Sequence, residues 1–109
     1  MLHYHVWFNL KPGVSQQAGL EVVAGYLRGL SEAGEASKVH LLRNIAHPSQ
    51  SKLPAYHALI EFADSDALDA AMKNQVQRGI HNGDHGRVVE VVCDFHVEIF
   101  TSLSAPTDG

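Results

Sequence analysis

Residues 2–10 read LHYHVWFNL, and their apolar side chains alternate: Leu2, Tyr4, Val6, Phe8 and Leu10 fall on one face, His3, His5, Trp7 and Asn9 on the other. A repeat of two is that of a β-strand, whose successive side chains point to opposite faces of a sheet. The strand therefore offers one aliphatic and aromatic surface and one surface rich in imidazole. Lys11-Pro12-Gly13 ends it, because proline lacks a backbone donor and glycine permits the turn, and Ser15 is placed to cap a following helix of about 18 residues. In that helix Leu20, Val23, Leu27 and Leu30 recur at spacings of three and four, which gives one inward stripe. Gly25 weakens the helix, and residues 31–34 end it.

Residues 36–46, with Val39, Leu41, Leu42 and Ile45, form a second expected strand, and a polar loop over 47–54 leads to a third over 55–62. Asp64 is the natural cap of a helix from Ser65 to about Gln77, with Leu68, Ala71, Met72 and Val76 as its stripe. Residues 78–86 read as a loop, 88–100 as the fourth strand and 101–109 as a loose tail, so the expected domain is 2–100. The order βαββαβ points to an α+β, ferredoxin-like fold: a four-stranded antiparallel sheet in the order 4-1-3-2 with both helices on one face. The bare face carries Trp7, Leu59 and several histidines. A second copy of the chain is expected to hide it, with a two-fold homodimer as the arrangement.

At 109 residues, 45% hydrophobic and 18% charged, the chain has the balance of a globular domain. Its formal net charge is −4 and no run of lysine and arginine interrupts it, which argues against nucleic-acid binding. Cys93 is the single cysteine, so an internal disulfide and a thiolate-rich zinc site are excluded, and a small strand residue is the expected role. No apolar run approaches the ~18 residues of a membrane span, and no signal-like leader opens the chain; a cytoplasmic location follows as the default. Eight histidines could cancel the net charge below about pH 6, which would make solubility and assembly sensitive to acid.

The opening LHYHVWFNLKPGV, the central YHALIEFADSDALDAAM and the closing VVCDFHVEIF resemble the stress-responsive A/B barrel, or Dabb, family of the dimeric α+β barrel superfamily. The resemblance spans most of residues 2–100. It implies two sheets packed face to face across a dimer axis with the helices outside, and a ligand cavity between sheet and helices. One family activity, a plant polyketide cyclase, uses a tyrosine on the second helix and a histidine in an HPxH-like segment just after it. The matching stretch here, residues 69–76, has neither, so that chemistry does not carry over.

In the expected sheet, His3 and His5 approach Glu61, His96 and Glu98 on one face. Imidazole and carboxylate together could hold a divalent metal ion, with those five residues as ligands, although no spacing here is a metal signature and no cofactor is required by the sequence. The same groups could act as acids and bases without metal, His5, His96 and Glu61 foremost, or form a paired polar network at a dimer interface. Asp94 could hold one of these histidines or serve the strand itself. His57 shares the face but is expected further along, near Asn9, apart from His5. His81 and His85 lie in a Gly-rich segment that reads as a loop at a pocket mouth, a further catalytic candidate whose alternative is plain solvent exposure. On the helix side Tyr4, Phe8, Tyr26, Tyr56 and Met72, with Phe62, could line a pocket for a small organic molecule; a filled core is the alternative.

Overall fold

A computed structural model describes residues 1–46, 49–79 and 83–103. Strand β1, Leu2–Leu10, is followed by helix α1, Gln16–Glu32, and strands β2, Lys38–Arg43, and β3, Tyr56–Phe62. Helices α2, Ser65–Arg78, and α3, Gly83–Val91, precede strand β4, Val92–Thr101. The sheet is antiparallel in the order β2-β3-β1-β4, the expected topology read from its other edge.

Local chemistry starts both long helices where the sequence suggests. Ser15 Oγ accepts from the Ala18 amide at 3.1 Å, and Asp64 Oδ1 accepts from the Ala67 amide at 2.9 Å, each satisfying a donor that a helix start leaves without a partner. Helix α1 lies so close to β1 that a Cβ on Gly19 would stand 2.7 Å from a Leu10 methyl. The core between helices and sheet centres on Phe8 and Phe62, exposed by 2% and 1%, with Val23, Leu27, Leu30 and Ile60 around them. Each such phenylalanine contributes roughly 1.5–3 kcal/mol of transfer free energy.

Two departures from the sequence reading matter for function. The segment expected as a loop to Gly86, and then as strand from Val88, is instead helix α3, and β4 begins at Val92. Val88 and Val91 pack against the core at a helical spacing of three, and Asp84 and Arg87 pair at 3.8 Å on the same turn spacing. The valine-rich composition favours strand, and burial of one helical stripe overrides it.

The second departure is a β-bulge. Trp7 faces His96 and Asn9 faces Cys93, so β4 carries one extra residue between them. Asp94 stands there in the left-handed region, with φ of 54°, and its Oδ2 accepts from Asn9 Nδ2 at 3.2 Å. An uninterrupted strand would have put Val92 and His96 on one face. The extra residue restores phase, so that Phe95, Val97 and Ile99 turn to the helix side while His96, Glu98 and Phe100 turn to the bare face. Asparagine tolerates the left-handed region and valine does not. Asp94→Asn should therefore leave the thermal unfolding midpoint nearly unchanged, whereas Asp94→Val should cost about 1–2 kcal/mol in urea unfolding.

Candidate functional site

The sheet separates two groups of side chains. On its helix side a cavity of about 360 Å³ lies among β1, β3, β4 and all three helices. Apolar groups dominate its wall: Val6 and Phe8 from β1, Leu27 and Leu30 from α1, Met72 from α2, Val88 and Val89 from α3. Phe95 and Met72 border the cavity and are exposed by 61% and 38%, which places its opening between α2 and β4. The polar side chains that reach it are Tyr4, Tyr26, Gln75 and His85. Tyr26 meets the His85 ring edge-on, with centroids 5.5 Å apart.

Burial of the Tyr26 phenol, with the Tyr4 and Glu35 groups adding to the effect and Arg78 opposing it, pushes its pKa up to about 12. Burial likewise raises Tyr4. Both hydroxyls are thus neutral donors at physiological pH, suited to a carbonyl, hydroxyl or carboxylate oxygen of a ligand. Arg78 is drawn to Glu35, Nη2 to Oε1 at 3.2 Å, and Asn74 donates to the same oxygen at 3.4 Å.

Of the residues expected to line a pocket, Tyr4, Phe8, Tyr26 and Met72 do so; Tyr56 instead stacks on Phe8 at 5.6 Å outside the lining. His85 reaches the cavity from α3 rather than from a loop, and His81 lies outside the described residues. Val89 and Phe95 escape the sequence reading because α3 and the bulge that aims Phe95 are not expected from it, and Gln75 escapes it because it stands beside, not in, the apolar stripe of α2. The signal was present in Val88, Val91 and Val92, spaced three and four apart.

The bare face holds His3, His5, His40, His57 and His96, in three separate groups. His5 Nδ1 and His57 Nε2 are 2.9 Å apart in a hydrogen bond. Their rings lie within 19° of parallel, and the Trp7 ring is nearly parallel to both at 5.4 Å and 4.6 Å, while Phe100 meets His5 edge-on at 5.0 Å. Glu61 forms the second group, with Oε2 3.1 Å from His40 Nε2 and Oε1 3.5 Å from His3 Nδ1. His3 also bonds Ser102 through Nε2 at 2.6 Å. In the third group His96 Nε2 pairs with Glu98 Oε1 at 3.1 Å.

His57 is therefore not apart near Asn9: it stands opposite Trp7 in the register and reaches diagonally to His5. His40, unremarked in the sequence, is the closest partner of Glu61. The expected catalytic set does not form one site, since His5, Glu61 and His96 each have a different partner and His85 lies across the sheet. The expected metal set, His3, His5, Glu61, His96 and Glu98, does not converge either. Among the described residues no three His, Cys, Asp or Glu side chains are placed to hold an ion. Burial, and then the neighbouring His3, holds His5 below the ordinary histidine value, and burial and His5 do the same for His57. Desolvation and the adjacent Asp94 carboxylate raise the Cys93 thiol, which disfavours the nucleophilic thiolate.

Residues 1–108 match the family of unknown function DUF6614, and the chain belongs to that family. No curated protein matches it. Among solved structures it is similar to a mutant of SnoaB, a cofactor-independent oxygenase from Streptomyces nogalater, with TM-score 0.70 and 14% identity over 96% of each chain. A Dabb family protein with a ferredoxin-like fold from Mesorhizobium loti matches with TM-score 0.63 and 20% identity, over 94% of this chain and 97% of that one. A dimeric ferredoxin-like protein of unknown function from Jannaschia sp. matches with TM-score 0.68 and 22% identity, over 93% and 98%. The Dabb-like fold inferred from the sequence is the fold observed. Among the described residues no helix is long and apolar enough to cross a membrane.

The buried phenol can be followed directly. Phenolate absorbance should show a component titrating near pH 12 that disappears in Tyr26→Phe. Because the folded state holds this proton more tightly than the unfolded one, its stabilising contribution is complete below about pH 10 and lost as pH rises toward 12, by about 2 kcal/mol in urea unfolding.

Proposed function

We propose that this DUF6614 member acts as a two-fold homodimer, each protomer holding a small, largely apolar organic molecule between its sheet and helices. The observation that carries the reading is the cavity itself: about 360 Å³, walled by aliphatic and aromatic groups, with Tyr4, Tyr26, Gln75 and His85 as its polar contacts. Ligand pockets have this size and make-up, an apolar wall for affinity and a few polar groups for orientation. In this reading the ligand enters past Phe95 and Met72 and turns an oxygen toward Tyr26. The protonated phenol donates to that oxygen, and His85 beside it supplies a group able to accept a proton. SnoaB has the same fold and is a cofactor-independent oxygenase, so the fold is compatible with chemistry that uses no bound cofactor.

The sheet supports the dimeric part of this reading. Its bare face exposes Leu42 by 46% and Phe100 by 53%, beside Trp7 and Leu59, and the Jannaschia protein of the same fold is dimeric. Packing that face on its own copy removes the apolar surface from water and lets self-complementary patches meet across a two-fold axis.

An anilinonaphthalene dye, fluorescent in apolar surroundings, should bind saturably at one site per protomer. Val89→Phe, which fills the cavity from α3, should abolish that binding while leaving the circular dichroism spectrum and the oligomer intact. Equal dye binding by the variant would overturn the cavity reading. By light scattering at micromolar concentration the protein should have twice the 11.9 kDa chain mass, and Leu59→Lys, which buries an unpaired charge in the contact, should have that mass once. A wild-type monomer would overturn the dimer.

A further inference from the structure

The bare face of the sheet holds an arrangement that a plain apolar contact would not require. His5 and His57 bond each other at 2.9 Å between ring nitrogens, near the middle of that face and against Trp7. Such a bond needs one nitrogen to donate a proton and the other to offer a lone pair. With one proton added the pair can still share a hydrogen. When both rings are protonated, all four nitrogens are donors and the bond cannot exist.

We propose that the His5–His57 pair is an acid-sensitive latch on the dimer: neutral or singly protonated it fits the subunit contact, and its second protonation drives the protomers apart. The inference rests on the homodimer proposed above. In a free protomer the bare face leaves the two imidazoles partly open to water, where charge is solvated, whereas a second copy packed over them would remove that water and penalise the doubly charged pair. Protons therefore bind more readily to the free form.

The two carboxylates nearest the pair are already engaged by other histidines. From β1 comes His3 and from β2 come Lys38 and His40; from β3 comes Glu61, whose two oxygens are engaged by His40 at 3.1 Å and His3 at 3.5 Å. From β4 come His96 and Glu98, paired with each other at 3.1 Å, although Glu98 stands opposite His5 in the register. Cys93 and Asp94 lie beyond Trp7, where Asp94 accepts from Asn9, and Lys52 borders the depression that Asp94 and His96 share. Trp7 can favour one cation beside its ring, which suits the singly protonated state and not the doubly protonated one. A two-fold copy brings the same imidazoles to the opposite side of the contact and doubles the repulsion.

The sign follows. A contact that disfavours the doubly protonated pair releases that proton on assembly and takes it up on dissociation, so assembly is strongest where the pair is neutral and weakens as pH falls through the ordinary histidine range. If one extra proton enters each protomer, the dimer takes up two, and its Kd rises ~100-fold per pH unit in that range.

The test is sedimentation of the full chain from pH 8 to pH 5 at constant ionic strength, with circular dichroism on the same samples. The expected result is a dimer at pH 8 that dissociates with that slope while its secondary structure persists, and a His57→Gln variant that remains dimeric at pH 5. A wild type equally dimeric at both pH values would sink the latch and leave the dimer standing. A monomer at pH 8 would sink the dimer and the latch together. Dissociation of His57→Gln along the wild-type curve would assign the effect to other groups and overturn the proposal. If that variant does not fold, imidazole C–H resonances of the wild type decide: the His5–His57 pair should take up its second proton together with dissociation, and uptake by the intact dimer would overturn it.

Discussion

Everything in this molecule depends on strand β1 being hydrogen-bonded on both sides. With β3 along one edge and β4 along the other, its backbone donors and acceptors are used within the sheet, and its side chains are divided between two environments. The helices lie against one of them. Tyr4, Val6 and Phe8 thus join the core and the cavity wall, and His3, His5 and Trp7 are left on the other side. A slip of one residue in either pairing would exchange the two sets, and the burial of Phe8 makes that slip costly.

The bulge at Asp94 extends this division to β4. Without it the strand would leave β1 out of phase past Asn9, with His96 and Glu98 aimed at the helices and Phe95 and Val97 at the bare face. The left-handed backbone of Asp94 and its bond to Asn9 hold the extra residue in place. The result is an apolar rim for the cavity on one side and a paired imidazole and carboxylate on the other. One strained residue thereby supports both faces.

The sheet keeps two kinds of chemistry apart. On the helix side, burial keeps phenols protonated and leaves polar donors in an apolar chamber. On the bare side, burial works the other way on imidazoles, keeping His5 and His57 neutral, while Glu61 and Glu98 engage the remaining histidines. Desolvation disfavours the charged form in each case; it raises an acid that ionises to an anion and lowers a base that ionises to a cation.

The sequence alone determined the elements whose periodicity is strong and whose ends carry capping chemistry. The alternation of residues 2–10, the stripe of α1 behind Ser15 and that of α2 behind Asp64 are local patterns, and their order leaves few compact topologies, so the fold class and the two faces of β1 were legible. Tertiary packing alone decided α3, where a valine-rich segment became a helix because one of its faces could be buried against the core. It also decided which histidine meets which. His57 reaches His5 diagonally, His40 takes Glu61, and His85 crosses to the cavity, because those distances depend on sheet twist, on a bulge and on a helix docked from far along the chain, none of which is written in the spacing of residues on a single strand.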